Sequence, residues 1–248
     1  CSGRAEEARY PAGSSCGSGT HTNGDPLYMS LSGTSQATAV AGGTASLVRE
    51  YIREEAGLTM PSAALVKAML INGAKDVGAA DIPNGAEGWG HIDLDRTVRP
   101  MDGTTMLTTF LDDGPNLRAG YGLLYSFDLD PSSGIDITLS WSDTPGSAAS
   151  GTTSTRLIND LDLVLVSPDG TRWLGNDFAN GFSTTGGAAD DINNVERIRV
   201  PPGALNGAGA WTVEVHHRGG QSQDFAIVVV ADASDTPTAD LVGLERSI

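Results

Sequence analysis

Lysine is nearly absent from this 248-residue chain, occurring only at Lys67 and Lys75, and arginine supplies every other basic side chain. Basic residues total 15 against 31 acidic ones, a formal net charge of −16. A surface of that sign repels polyanions, so nucleic acid and anionic lipid are discounted as partners. Cysteine is scarce too, with Cys1 and Cys16 the only pair. Two thiols without a histidine cluster at ligand spacing exclude a zinc site. In an oxidising compartment the two would close a loop of about fifteen residues, for roughly 3 kcal/mol. Free or otherwise paired thiols are an equally open reading. Aromatic residues make up only 6%, and no apolar run approaches the roughly 20 residues of a membrane-spanning helix. The length allows one to two domains with a real core.

What the sequence does have is a serine on a glycine-bearing turn, Gly33-Thr34-Ser35-Gln36-Ala37-Thr38-Ala39, running into a small-residue helix that continues through Leu47, Val48, Tyr51 and Ile52. A serine there sits near the positive end of the helix dipole, and its own N–H is free to face a developing oxyanion. A plain Ser/Thr helix cap produces the same local pattern. A second helix follows over Met60–Ala74, with Pro61 near its start and Gly73 as a stop signal. Then comes Gly88-Trp89-Gly90-His91-Ile92-Asp93-Leu94-Asp95. These three segments, in this order, resemble the C-terminal part of the catalytic domain of subtilisin-like serine proteases.

The resemblance implies an α/β subtilisin-like domain, of which this chain holds the C-terminal portion only, with Ser35 as nucleophile. Gly33, Thr34 and Gln36 would flank it on the substrate side. Gln36 stands where the family usually has Met, and Ala39 where it usually has Pro; neither change removes the nucleophile. The family also needs an Asp, a His as general base and an oxyanion-hole Asn upstream of the serine, and none of the three is here. His21 lies too close before Ser35 and reads as a loop residue, while His91, His216 and His217 come after it. The expected partners are therefore a protein or peptide substrate and the N-terminal part of the same protease, as a cleaved segment or a separate chain. The family also implies a secreted protein, and the lack of a leader-like stretch at Cys1 suits a matured or truncated chain. Residues 1–31 are Gly-, Ser- and Pro-bearing and read as irregular.

After Arg99-Pro100 the helical periodicity gives way to short alternating strands: Leu123–Phe127, Ile135–Trp141, Leu161–Val166, Ile198–Val200, Trp211–Val215 and Phe225–Val230. Turn signals separate them, among them Ser167-Pro168-Asp169-Gly170 and Pro201-Pro202-Gly203. The expectation is an all-β, jelly-roll-like sandwich over 101–233, preceded by the protease portion over 1–100 and followed by a polar tail over 234–248.

Asn159-Asp160-Leu161-Asp162-Leu163, Gly175-Asn176-Asp177-Phe178 and Asn193-Asn194-Val195-Glu196 resemble the C-terminal domain of the oxidatively stable alkaline subtilases. Strand alternation puts Asp160 and Asp162 on one face and Leu161, Leu163 and Leu165 on the other. Those carboxylates, with Asp177, Asn194 and Glu196, are the hard oxygen donors Ca²⁺ takes, and the family often carries calcium. Asx residues capping turns are the alternative. The expected activity is serine endopeptidase; the rival reading is a non-catalytic protease remnant, or a stabilising or binding module.

Overall fold

The computed structural model describes residues 2–6, 20–21, 28–130, 132–146, 157–205, 207, 209–233 and 237–243. Cys1 and Cys16 lie outside them, so the expectation of a disulfide is not addressed. The first strands, β1 (Ser2–Glu6), β2 (Thr20–His21) and β3 (Tyr28–Ser32), form an antiparallel sheet in the order β1-β3-β2. No parallel strand pair occurs among the described residues, so the α/β layout is not displayed by this part of the chain.

Helix α1 (Thr34–Glu54) draws its helix preference from its alanines, against Gly42, Gly43 and several Ser and Thr, and it buries only Val48 and Ile52, one turn apart near its C-terminus. Helix α2 (Ala63–Asn72) starts where Pro61 and Ser62 place it: the Ser62 hydroxyl accepts from Leu65 N at 3.0 Å. Asp113 anchors that cap from the sheet below, accepting from Ser62 N at 2.8 Å. Gly73 ends the helix against α3 (Leu94–Val98), so close that a Cβ would overlap the Thr97 backbone.

A short hairpin, β4 (Met101–Asp102) and β5 (Thr105–Met106), leads into two antiparallel sheets. One holds β6 (Thr108–Leu117), β8 (Ile135–Trp141), β12 (Val195–Val200) and β14 (Gln223–Ala231), in the order β12-β8-β14-β6. The other holds β7 (Tyr121–Leu129), β9 (Asp160–Val166), β10 (Arg172–Ala179), β11 (Phe182–Thr185), β13 (Gly209–Gly219) and β15 (Thr238–Gly243), in the order β11-β10-β9-β13-β7-β15. Inward residues of both, including Ile137, Leu139, Trp141, Leu163, Trp211, Val213 and Ile227, make one shared core.

Strand β14 explains how the helices attach. Its Phe225, Ile227 and Val229 face that core, while Ala226, Val228 and Val230 face outward into a second apolar cluster with Val48, Ile52, Leu65, Ala68 and Met69. A strand buried on both faces reads as a continuous apolar run, which is what Phe225-Ala226-Ile227-Val228-Val229-Val230 is. Each fully buried side chain of this size contributes about 1.5–3 kcal/mol relative to exposure, so the helical part is docked firmly on the outer face of the four-stranded sheet. Residues 238–243, read from sequence as part of a tail, pair with Tyr121–Ser126 and occupy the free edge of β7.

Candidate functional site

Ser35 is exposed, in the first turn of α1. Gly33 is the N-cap and makes no side-chain cap; the first amide of the helix to find a backbone acceptor is Ala37 N, on Gly33 O at 3.2 Å. Among the described residues the amides of Ser35 and Gln36 are thus left with the orphan donors of a helix start, and no acidic side chain sits in the first turn. The Gln36 side chain folds back toward Gly33, with Oε1 2.8 Å from where a Gly33 Cβ would stand. A cleft of about 540 Å³ runs beside this turn, lined by Thr34, Gln36, Ala37, Val40, His91 and Leu94 among others. Ser35 itself is not among the residues lining that cleft; its exposed hydroxyl and the amides of the helix start can hold a carbonyl for nucleophilic attack once a base is supplied.

The expected metal ligands are placed on both sides of a gap. Strand β10 pairs with β9 only over Arg172–Leu174, then leaves it. Glu196 from β12 fills the space, accepting from Leu163 N at 2.6 Å. A Cβ on Gly175 would overlap that carboxylate, so only glycine fits there. Glu196 is 1% exposed and its Oε1 has no partner; Asp160 Oδ1 is likewise buried and unpartnered. Burial, opposed by the Leu163 amide and reinforced by Asp162, Asp190 and Asp160, holds the Glu196 carboxyl well above its ordinary value. Burial, then Asp162 and Asp191, pushes Asp160 up to about 6 against the pull of Arg218 and His217.

Asp162 is buried and paired with Arg218. Asp160, Asp162 and Glu196 thus share one electrostatic neighbourhood, while the other two expected ligands are engaged elsewhere. Asp177 accepts from Gly187 N at 3.0 Å, and Asn194 bridges Lys67 Nζ (3.1 Å) and the Trp141 carbonyl (3.0 Å). Sequence reasoning missed Asp190, which gathers Asn176, Asn193 and the Ile192 amide. It also missed Asp76, Asp81 and Glu87, each with an oxygen within 4.8 Å of the others. Their spacing through a Gly/Pro loop was the available signal.

Residues 3–90 match the Subtilase family. This part of the chain is a subtilase segment. Three relatives from Dictyostelium discoideum extend the similarity. The serine protease/ABC transporter B family protein tagA is 34% identical over 206 residues, covering 75% of this chain. The tagB and tagD proteins of the same description are each 25% identical over a 75% share. Three quarters of the chain exceeds the subtilase segment, so the similarity runs on into the two-sheet part. The chain itself spans only 11% to 13% of the length of these relatives. The subtilase segment ends at the Trp89-Gly90 turn, where the Lys75 and His91 backbones pair at 2.9 and 2.8 Å beside α1. No helix among the described residues is long and apolar enough to cross a membrane.

Proposed function

We propose that this chain supplies the nucleophile of a serine endopeptidase, with Ser35 attacking the peptide carbonyl and its own amide helping to hold the oxyanion. The catalytic Asp and His come from the preceding part of the protein, which contributes the rest of an α/β domain. The observation that carries this reading is the start of α1, where an exposed serine sits at a helix terminus that takes no side-chain cap among the described residues, within a subtilase segment.

The face of α1 supports an upstream covering segment. Val40 and Leu47 are 57% and 52% exposed, and Ala39 is exposed too, on a helix that buries only Val48 and Ile52. Gly42 and Gly43 cost roughly 1 kcal/mol each inside a helix relative to Ala, yet open space surrounds both among the described residues. Such a face suits close approach by another backbone.

The two-sheet part is a jelly roll, a reading its strand order supports; the alkaline-subtilase type rests on the resemblance of the segments around Asp160, Asp177 and Glu196. Numbering β6–β10 and β12–β14 as one to eight gives 1-8-3-6 in one sheet and 2-7-4-5 in the other. The orphaned oxygens of Glu196 and Asp160 fit a calcium ion, held by these two with Asp162; it would supply charge neutralisation to a crowded acidic site. A secreted location suits both.

Ser35→Ala in the full-length protein should abolish hydrolysis of a denatured protein substrate while the melting temperature stays within a few degrees. Undiminished turnover in that variant overturns the proposal.

A further inference from the structure

A cavity of about 230 Å³ opens at the junction of the helices and the sheets, far in sequence from Ser35. Its floor is apolar, from Leu107, Ile135, Val200 and Val230, and its rim carries Arg96 and Arg199. Beneath them lies Asp136, but its carboxylate is already taken. Arg197, 1% exposed, grips it with two bonds, Nε to Oδ1 at 2.8 Å and Nη2 to Oδ2 at 2.7 Å. Arg96 and Arg199 reach only to 3.8 and 3.7 Å from Asp136 Oδ2, beyond hydrogen-bonding distance. Among the described residues neither guanidinium makes a side-chain hydrogen bond.

Three guanidiniums thus crowd one carboxylate in a protein whose net charge is −16. Asp102 is the other carboxylate on the cavity wall. Arg197 Nη1 is buried without a partner, so even the innermost cation is incompletely satisfied. Burial is the first cause holding Arg199 below its ordinary value; Asp136 and Asp76 oppose it, while Arg197 and Arg96 add to it. Arg199 also lies over the Phe182 ring at 5.0 Å, and both residues line the cavity. An incoming anion relieves the mutual repulsion of these cations, and a planar carboxylate matches the guanidinium fork.

We propose that this cavity binds a carboxylate carried on a short apolar stem, the carboxylate between Arg96 and Arg199 and the stem on the Leu107–Ile135–Val200–Val230 floor. The volume decides the size class: pockets for drug-sized ligands run from about 300 Å³ upward, so this one takes a single short chain or the tip of a larger molecule. Two sources share that chemistry, a free organic acid and the C-terminus of a peptide ending in an apolar residue. The site shares no lining residue with the cleft beside the start of α1 and does not depend on the protease reading.

The test is calorimetric titration of the full-length protein with sodium hexanoate, hexanamide, sodium phosphate, and N-acetyl-alanyl-leucine as its free acid and as its amide. Saturable one-to-one binding of hexanoate is expected, weakened tenfold or more by Arg96→Gln and by Arg199→Gln. Arg199→Lys, which keeps charge but loses the fork, should fall between. Arg96 is the safer variant for folding, its side chain being 38% exposed. Binding of the free-acid dipeptide but not its amide assigns the peptide source; hexanoate alone assigns the free acid. Absence of saturable hexanoate binding, equal binding of hexanamide, phosphate binding as tightly as hexanoate, or indifference to both arginine variants overturns the proposal.

Discussion

Replacing Asp136 by Asn is the most informative perturbation of the fold, because it removes a charge and almost no volume. Arg197 joins the two parts of the molecule: it grips Asp136 on β8 with two bonds and donates through Nη2 to the Asn72 carbonyl at the end of α2, at 2.8 Å. Asn72 in turn donates to the Asp136 carbonyl at 3.1 Å and to Thr138 Oγ1 at 3.2 Å. In Asp136→Asn the guanidinium stays 1% exposed and loses its counter-charge. Removing one partner of a buried pair costs about 3–5 kcal/mol, because it strands the other charge. At about 2–4 °C per kcal/mol for a chain of this size, the melting temperature should fall by roughly 6–20 °C. The double variant Asp136→Leu with Arg197→Met removes the buried pair together and should recover part of that loss, since Arg96 and Arg199 stay charged without that carboxylate and the Asn72 carbonyl loses its donor. Differential scanning calorimetry of the full-length protein and the variants reads the effect directly. A fall of less than about 2 °C in Asp136→Asn refutes the idea that this pair bears on the docking of α2.

Three further outcomes follow from the same structure. Glu214 is desolvated, yet hydrogen bonds from His216 (3.0 Å) and Arg172 (2.8 Å) hold its carboxyl below the ordinary value. Its folded pKa is depressed, so its stabilisation is present above about pH 4.5 and is lost as pH falls through the folded value. Glu214→Gln should remove that acid-side loss, by about 1 kcal/mol or less because Arg172 is half exposed; superimposable acid melts would contradict it. Calcium at 100 times its dissociation constant should raise stability by about 2.7 kcal/mol, and Glu196→Gln should blunt that response. Identical melting with calcium and with chelator removes calcium from the account. Finally, Gln36→Met should make activity decay faster in mild peroxide than in the parent, since a sulfoxide would crowd Ser35; equal decay counts against a role for position 36 beside the nucleophile.

The strands were legible where alternation was clean. Ile135–Trp141 matches its sequence reading end to end, and Leu161, Leu163 and Leu165 all turn into the core as alternation required. Strand β6 escaped because Asp112-Asp113-Gly114-Pro115 interrupts any period of two, although Asp112 holds the Tyr125 hydroxyl at 2.8 Å and Asp113 holds the start of α2. The β10–β11 hairpin had a signal that went unread: Asn180-Gly181, both at positive φ, 55° and 77°. At the candidate site, Ser35 was visible because a local turn defines it. Asn159 reads from sequence only as part of a family-like segment, and no local pattern marks its role in the structure. Its carbonyl accepts from Trp141 Nε1, its side chain donates to Gln223, and its Oδ1 holds the Gln221 amide. Contacts across the sheets, such as Glu196 on Leu163, depend on where β10 parts from β9, which no local pattern encodes.

The central claim is that Ser35 is a nucleophile activated by groups upstream of this chain. A serine-directed fluorophosphonate, reacted with the full-length protein and mapped by peptide mass spectrometry, tests it most directly, with the isolated chain run in parallel. The account predicts a stoichiometric adduct on the Ser35 peptide of the full-length protein, no adduct on the isolated chain, and none after Ser35→Ala. An adduct at a different serine, or equal labelling of the isolated chain, would contradict it.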